Sequence, residues 1–193
     1  MKESISNSLI ILACTILMTA CASAHSNEIV AEGEVPVRLA DSYSFTEGPA
    51  TDARGNVYFT DQPNNRIYRW DCETGEITLF TDQSGRSNGM YFDAQGNLIA
   101  CADMDNQLWS FDIKGHSEIL ITDYRGKLLN GLYYLAPGGK QLVMLDSTLN
   151  QPNGLVGTPD GKHLYVAEAK ANRILKYDIQ TDGSLTNRQV LKT

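Results

Sequence analysis

The sequence places an oxygen-bearing side chain before a glycine at three similar points. Glu47 stands in FTEGP, Asn88 in RSNG and Asn153 in QPNG, and each motif leads into an apolar, strand-like segment. Carboxylate and amide oxygens are the ligands that a hard cation such as Ca²⁺ accepts, at irregular geometry. If the three motifs converge in the fold, they predict an all-oxygen metal site. Each Asn-Gly is also a common turn signal, so the ligand interpretation depends on their recurrence.

The elements that must position these side chains belong to a repeated unit. It occurs at residues 52–71, 93–112 and 160–178, each time as a turn glycine, an apolar strand, a loop with an Asn, a second strand and an aromatic residue followed by Asp. Gly96 follows Gly55 by 41 residues. Four short strands fill one propeller blade of roughly 40 to 50 residues. The repeat therefore predicts an all-β propeller rather than a β-sandwich with chance repeats.

A propeller explains how distant motifs could form one site. The start of the innermost strand of each blade faces a central channel, so Glu47, Asn88 and Asn153 are predicted to converge there, and Asn130 with them. The period then breaks, because 66 residues separate Asp112 from Asp178 and only one weak unit, at residues 137–146, lies between them. We expect three to four blades, whereas closed propellers have about four to eight. Open sheet edges would favour self-association.

The first 24 residues are predicted to be a signal peptide, followed by a partial propeller domain at residues 25–193. Residues 9–18 form an apolar run that is too short to span a bilayer. Two cleavage sites compete: Ala22-Ser23-Ala24 is an A-x-A site, and residues 18–21 resemble a bacterial lipobox that would leave a lipidated Cys21 as a membrane anchor. Both predict an exported, periplasmic protein.

Charge and cysteine content exclude some classes of partner and site. The net charge is −7, and Lys and Arg form no patch, so a nucleic acid is not expected to bind. Cys72 and Cys101 remain after the leader, either as free thiols or as a disulfide that an oxidising compartment would permit. The three histidines are scattered and no C-x-x-C occurs, which argues against a zinc site.

The motifs give the chain a resemblance to the SMP-30/gluconolactonase/LRE family of six-bladed propellers. It is carried by residues 45–71, 85–103, 151–179 and 182–191, with EGP and PNG the most specific parts. The resemblance implies a divalent metal, usually Ca²⁺, with Glu47 and Asn153 as ligands. It implies that Arg86 and Asn88 face a small sugar lactone at the channel mouth. The implied reaction is ring opening by metal-activated water with a carboxylate as base; no residue is assigned as the base.

The chain departs from the family pattern at one internal point. Members usually carry a SPND motif after GK-x-LN, whereas here residues 126–130 pass directly into Gly131, and a later Asp ligand would lie beyond Thr193. We therefore expect an internal deletion, a C-terminal truncation and two of the four metal ligands missing, with Asn130 a poor substitute. The alternative function is a catalytically impaired fragment, or a binding or assembly module without a complete metal site. A propeller of the NHL type is disfavoured by EGP and PNG.

Overall fold

The computed structural model describes residues 33–122 and 131–192. The chain divides into two compact units, residues 1–39 and 40–193. In the first unit only residues 33–39 are described, and none of these lies in a strand. The predicted signal peptide, the Cys21 anchor and Asn130 all lie outside the described residues.

The second unit is built from antiparallel strands arranged in chain order within four sheets. The first sheet contains β1 (Thr46–Thr51), β2 (Val57–Asp61), β3 (Arg66–Trp70) and β4 (Ile77–Thr81); the second contains β5 (Ser87–Phe92), β6 (Leu98–Ala102), β7 (Gln107–Phe111) and β8 (Ser117–Ile121); a two-stranded sheet contains β9 (Leu132–Leu135) and β10 (Leu142–Asp146); the last contains β11 (Pro152–Gly157), β12 (His163–Glu168), β13 (Arg173–Ile179) and β14 (Leu185–Lys192). The only helical segment in the described ranges is a 3-10 turn, Gln62–Asn64. The all-β prediction is confirmed.

Each four-stranded sheet is a meander of the kind that forms a propeller blade. The tight turns follow from local chemistry. The Asp52 carboxylate accepts hydrogen bonds from the backbone N–H groups of Arg54 and Asn56, at 2.9 and 3.0 Å, and Gly55 takes a φ of +94° that L side chains rarely adopt. Asp93 and Gly96 repeat this turn one blade later. The predicted role of these glycines is confirmed.

The sheet β9–β10 includes the weak unit that the sequence showed at residues 137–146, which contributes the strand β10. Its strands pair from Leu142 opposite Leu135 to Asp146 opposite Leu132, with an irregularity at Met144. The structure therefore contains three four-stranded blades and one reduced sheet among its described residues, in agreement with the three to four blades expected.

Two apolar cores hold these sheets together. The first joins the two N-terminal blades through Tyr58, whose ring packs edge-to-face on Phe80 and Phe92 with centroids 5.0 Å apart in both pairs. Such aromatic pairs contribute about 0.5–1.5 kcal/mol beyond their buried area. The second core joins the reduced sheet to the last blade through Leu132, Leu149, Val166, Leu175 and Tyr177. Alternating apolar positions on the strands supply both cores.

The state of the two cysteines is observed directly. Cys72 and Cys101 are free thiols, both on exposed residues, so the free-thiol alternative holds. Among the described residues, no helix has the length and apolar character needed to cross a membrane.

Candidate functional site

The three predicted metal-site and channel residues occupy one equivalent position in their blades. Glu47, Asn88 and Asn153 are each the second residue of the first strand of a sheet. In each case a register shift against the second strand begins at or just before this residue. The shared irregularity turns the side chain out of the regular ladder at the same point of each blade. Their ligand and substrate roles stay predictions.

The inner strands of the first two blades meet at this position. Gly48 has a φ of +59°, and a Cβ added to it would lie 1.8 Å from the backbone carbonyl oxygen of Asn88. Only a glycine permits so close a backbone approach. The structure therefore brings Glu47 and Asn88 together from sequence positions 41 residues apart.

The Glu47 carboxylate is half-buried, and no hydrogen-bond donor among the described residues balances its negative charge. Partial burial raises its pKa, and the negative charge of Asp103 raises it further. The backbone oxygen of Glu47 accepts a hydrogen bond from the Thr60 hydroxyl at 3.1 Å, but among the described residues no donor reaches its carboxylate. A carboxylate in this environment gains from a proton or a bound cation.

Arg86 lies on the exposed rim of the same cluster, in the unusual left-handed conformation with a φ of +54°. Its guanidinium Nη2 donates to the Oε1 of Gln62 at 3.4 Å, and the Nε2 of Gln62 donates to Asp103 at 3.2 Å. Gln62 thus links Arg86, which is predicted to bind substrate, to Asp103, the second carboxylate of the cluster after Glu47.

Asp103 and Gln62 were missed by the sequence analysis. Asp103 directly follows β6, and Gln62 begins the 3-10 turn after β2. The two positions are 41 residues apart, which is the blade period, so the repeat contained a signal that could have identified them as neighbours.

Asn153 belongs to a separate part of the described structure. It is exposed, and its side chain makes no hydrogen bond to Glu47, Asn88 or Arg86 in residues 33–122 and 131–192. The loop before it is held by the buried Glu168, whose Oε1 accepts the N–H of Asn150 at 2.6 Å. The structure brings Glu47, Asn88 and Arg86 into one cluster and shows Asn153 only at the corresponding position of the last blade.

The donor chemistry fits a hard cation. Across residues 33–122 and 131–192 no three His, Cys, Asp or Glu residues form a metal-binding group. What the cluster offers is an uncompensated carboxylate at Glu47, next to the point where Gly48 meets the backbone of Asn88, whose amide oxygen accepts the N–H of Gly89 at 2.6 Å. Oxygen ligands of this kind suit Ca²⁺ or Mg²⁺ rather than a soft metal.

Comparisons with known proteins give the same fold and family. The family model described as SMP-30/Gluconolactonase/LRE-like region matches residues 45–128 and 122–193. A gluconolactonase of Zymomonas mobilis is 22% identical over 207 aligned residues, covering 80% of this chain and 58% of that protein. A lactonase of Staphylococcus saprophyticus is 37% identical over 65 residues, which are 32% of this chain and 20% of that lactonase.

Solved structures extend the comparison to the three-dimensional fold. A gluconolactonase from Xanthomonas campestris superposes with a TM-score of 0.71 at 25% identity, covering 79% of this chain and 64% of that one. The calcium-binding protein regucalcin from Agrobacterium tumefaciens gives 0.63 at 17% identity, with 79% and 61% covered, and this likeness concerns the fold alone. The chain thus spans less than two thirds of the length of each of these relatives.

Proposed function

Because this chain belongs to the SMP-30/gluconolactonase/LRE-like family, we propose that it is an exported, metal-dependent hydrolase that opens the ring of a small sugar lactone. One observation carries the proposal. Glu47, the family-derived metal ligand, and Asn88, which the family implies faces the substrate, lie where the inner strands of two blades meet, near Arg86 and Asp103, and the carboxylate of Glu47 has a raised pKa. The likeness to a gluconolactonase supports the substrate class.

Glu47 is the ligand that would hold a divalent cation, Ca²⁺ from the oxygen chemistry of the site, and Asn153 is the second family-derived ligand. When bound, such an ion supplies Lewis-acid polarisation of the lactone carbonyl and makes water a better nucleophile. Ca²⁺ takes about six to eight oxygens, so solvent or further protein groups would complete its shell.

Arg86 and Asn88 would bind and orient the lactone. The Arg86 guanidinium presents a fork of donors to ring and hydroxyl oxygens, while the Asn88 amide offers both a donor and an acceptor. Holding the ring in one orientation lowers the entropy that must be lost at the transition state.

Asp103 is the carboxylate that can take a proton from the attacking water. Its Oδ2 accepts a hydrogen bond from Gln62 at 3.2 Å, and no side chain among the described residues donates to its Oδ1. Water adds to the lactone carbonyl carbon as Asp103 takes its proton, the bond between the carbonyl carbon and the ring oxygen breaks, and Asp103 returns the proton to the departing ring oxygen, which becomes a hydroxyl. The product is the open-chain hydroxy acid.

Purified protein assayed on glucono-δ-lactone tests the proposal. We expect hydrolysis above the spontaneous rate that requires Ca²⁺ or another divalent ion, and a loss of about 100-fold or more in Glu47→Gln. Glu73→Gln is the matched control, because Glu73 is an exposed glutamate in the turn between β3 and β4. A wild-type rate equal to the spontaneous rate, with and without metal, would overturn the proposal.

Export, anchoring and self-association are parts of the proposal that need their own measurement. We expect the chain in the periplasmic or membrane fraction, and a shift of Cys21→Ala from membrane to soluble fraction if Cys21 carries lipid. Size-exclusion mass would show self-association, which the exposed Leu155 and Val156 on β11 favour.

A further inference from the structure

Asn65 is the residue that the repeat marked without explaining. It caps the 3-10 turn with φ +58° and ψ 36°, and its N–H donates to the Gln62 carbonyl at 3.1 Å. Asn106 and Asn172, the corresponding residues of the other units, take φ values of +55° and +48°. Asn tolerates this left-handed conformation better than most residues, which explains the recurrence of Asn in the repeat.

The side chain of Asn65 does more than permit a turn. It crosses to the loop between β4 and β5, where its Oδ1 accepts the backbone N–H of Arg86 at 2.8 Å and the hydroxyl of Ser84 at 3.3 Å. Its Nδ2 donates to the Asp82 carbonyl at 3.4 Å, and its own carbonyl accepts the N–H of Ser84 at 3.1 Å. Four hydrogen bonds from one residue of the first blade thus hold the loop that leads into the second.

That loop ends in a strained residue. Arg86 is not a glycine, yet it has a φ of +54°, a conformation that persists only where surrounding contacts fix it and whose strain tends to occur at functional sites. The 2.8 Å bond from its own N–H to Asn65 is the contact that fixes it. On the C-terminal side, Ser87 is fully buried and its hydroxyl donates to the Ser84 carbonyl at 2.5 Å.

The same turn also directs the Arg86 side chain. Gln62 begins the turn that Asn65 caps, and its Oε1 accepts from the guanidinium of Arg86 at 3.4 Å. Backbone and side chain of Arg86 are therefore both held by one short segment of the preceding blade.

We propose that Asn65 is a positioning residue that sets the conformation of Arg86 for the substrate, with Gln62 orienting its guanidinium. The inference rests on the proposed function, because Arg86 meets a substrate only if this cluster is the lactone site. The arrangement links two blades: the turn after β2 in one blade shapes the rim residue of the next.

The test compares Asn65→Gly with Asn65→Asp in the full chain. Glycine keeps the left-handed turn and removes the side-chain acceptor, whereas aspartate keeps an oxygen for the N–H of Arg86. The matched control is Asn172→Gly, the same substitution in the same kind of turn, at an exposed residue whose side chain has no hydrogen bond to the part of the chain described.

Two readouts separate positioning from general stability. We expect the KM for glucono-δ-lactone to rise about tenfold in Asn65→Gly with kcat changed less, and Asn65→Asp to stay within about threefold of the wild type. We also expect amide hydrogen exchange of residues 82–87 to speed up about tenfold in Asn65→Gly, and not in Asn172→Gly.

The exchange readout does not depend on catalysis. If the wild type fails to hydrolyse the lactone, the proposed function fails, while exchange at residues 82–87 still decides whether Asn65 holds this loop. Unchanged exchange in Asn65→Gly, unchanged KM despite faster exchange, or equal losses in Asn65→Asp would each overturn the inference.

Gln62→Ala provides a second variant if Asn65→Gly fails to fold. We expect about a threefold rise in KM with wild-type exchange at residues 82–87, because the contacts of Gln62 to Arg86 and Asp103 are removed while the bonds from Asn65 to the loop remain. Wild-type KM in Gln62→Ala would overturn the orienting role of Gln62.

Discussion

The inner strands β1 and β11 carry the same motif position in different surroundings. Gly48 of β1 approaches the Asn88 carbonyl so closely that a Cβ there would lie 1.8 Å from the oxygen, whereas a Cβ on Gly154 of β11 would meet nothing within 4 Å. Both glycines have positive φ, +59° and +96°. The repeat determines the backbone conformation of the strand, and the neighbouring blade determines how tightly that strand is packed.

The second strands show the same contrast in how a buried carboxylate is satisfied. Asp61 accepts neutral donors, the N–H groups of Ser44 and Phe45 at 3.1 Å each and the Asn64 amide at 2.7 Å. Glu168 ends β12 as Asp61 ends β2, and it also holds the loop before an inner strand. It does so within an ionic network that contains Arg173 and Arg188. In both blades the carboxylate holds the loop through backbone N–H groups, and in the last blade ion pairs to two arginines are added.

The largest expected effect tests the packing difference between the two glycines. Gly48→Ala should lose at least about 3 kcal/mol of unfolding free energy, because strain at positive φ adds to a clash with backbone that cannot move without separating β1 from β5. Gly154→Ala should lose only about 1 kcal/mol from strain. Urea unfolding measures both, and equal losses would contradict the comparison.

The next effect concerns the two buried carboxylates. Glu168→Gln keeps an acceptor for Asn150 but leaves Arg173 without its anion and Arg188 with Asp146 alone, so we expect a loss of about 2–3 kcal/mol, below the usual cost of breaking a fully buried pair because both arginines are partly exposed. Asp61→Asn should lose less, about 1.5 kcal/mol, since only the Asn64 amide loses its carboxylate acceptor. Thermal unfolding of both variants measures these losses of stability. A larger loss in Asp61→Asn than in Glu168→Gln would contradict the comparison.

A smaller effect appears in the pH dependence of stability. The hydrogen bond from Arg173 lowers the pKa of Glu168 below its reference value of 4.5. A lowered folded-state pKa means that its stabilisation is present above this reference value and is lost as the pH falls through the folded pKa.

The stability gap between wild type and Glu168→Gln should therefore be full at pH 7 and narrow below about pH 4.5. Urea unfolding at a series of pH values from 7 to 3.5 measures the gap. A gap of constant size over that range would show that Glu168 acts through packing rather than through charge.

The smallest expected effect has the opposite sign. The pKa of Glu47 is raised, so its ionised form reduces stability at neutral pH, and this penalty disappears as the pH falls through the raised pKa. Glu47→Gln should stabilise the metal-free protein at pH 7 by a few tenths of a kcal/mol, discounted for the solvent that reaches this half-buried group.

Differential scanning calorimetry in the presence of a chelator measures this gain. Adding Ca²⁺ should then raise the Tm of the wild type and leave that of Glu47→Gln unchanged, because a ligand that binds only the folded state stabilises it. A lower Tm for metal-free Glu47→Gln would show that the Glu47 charge is compensated in the fold.

The sequence by itself determined the blades and the recurrence of the site position. Alternating β-branched and aromatic residues and turn glycines act locally, so β2, β3, β12 and β13 could be predicted nearly to the residue. The same periodicity predicted that Glu47, Asn88 and Asn153 are equivalent, because residues at one phase of a repeat take one place in the repeated unit.

Only the tertiary structure decided how these equivalent positions differ. The side chain of Asn65 in the first blade bonds to Arg86 in the loop that leads into the second. Gln62 links Arg86 to Asp103. Glu168 pairs with Arg188 from the last strand of its sheet. These contacts depend on distances between elements that no local pattern specifies. A repeat fixes what each blade is, but the packing of one blade on another fixes which side chains act together.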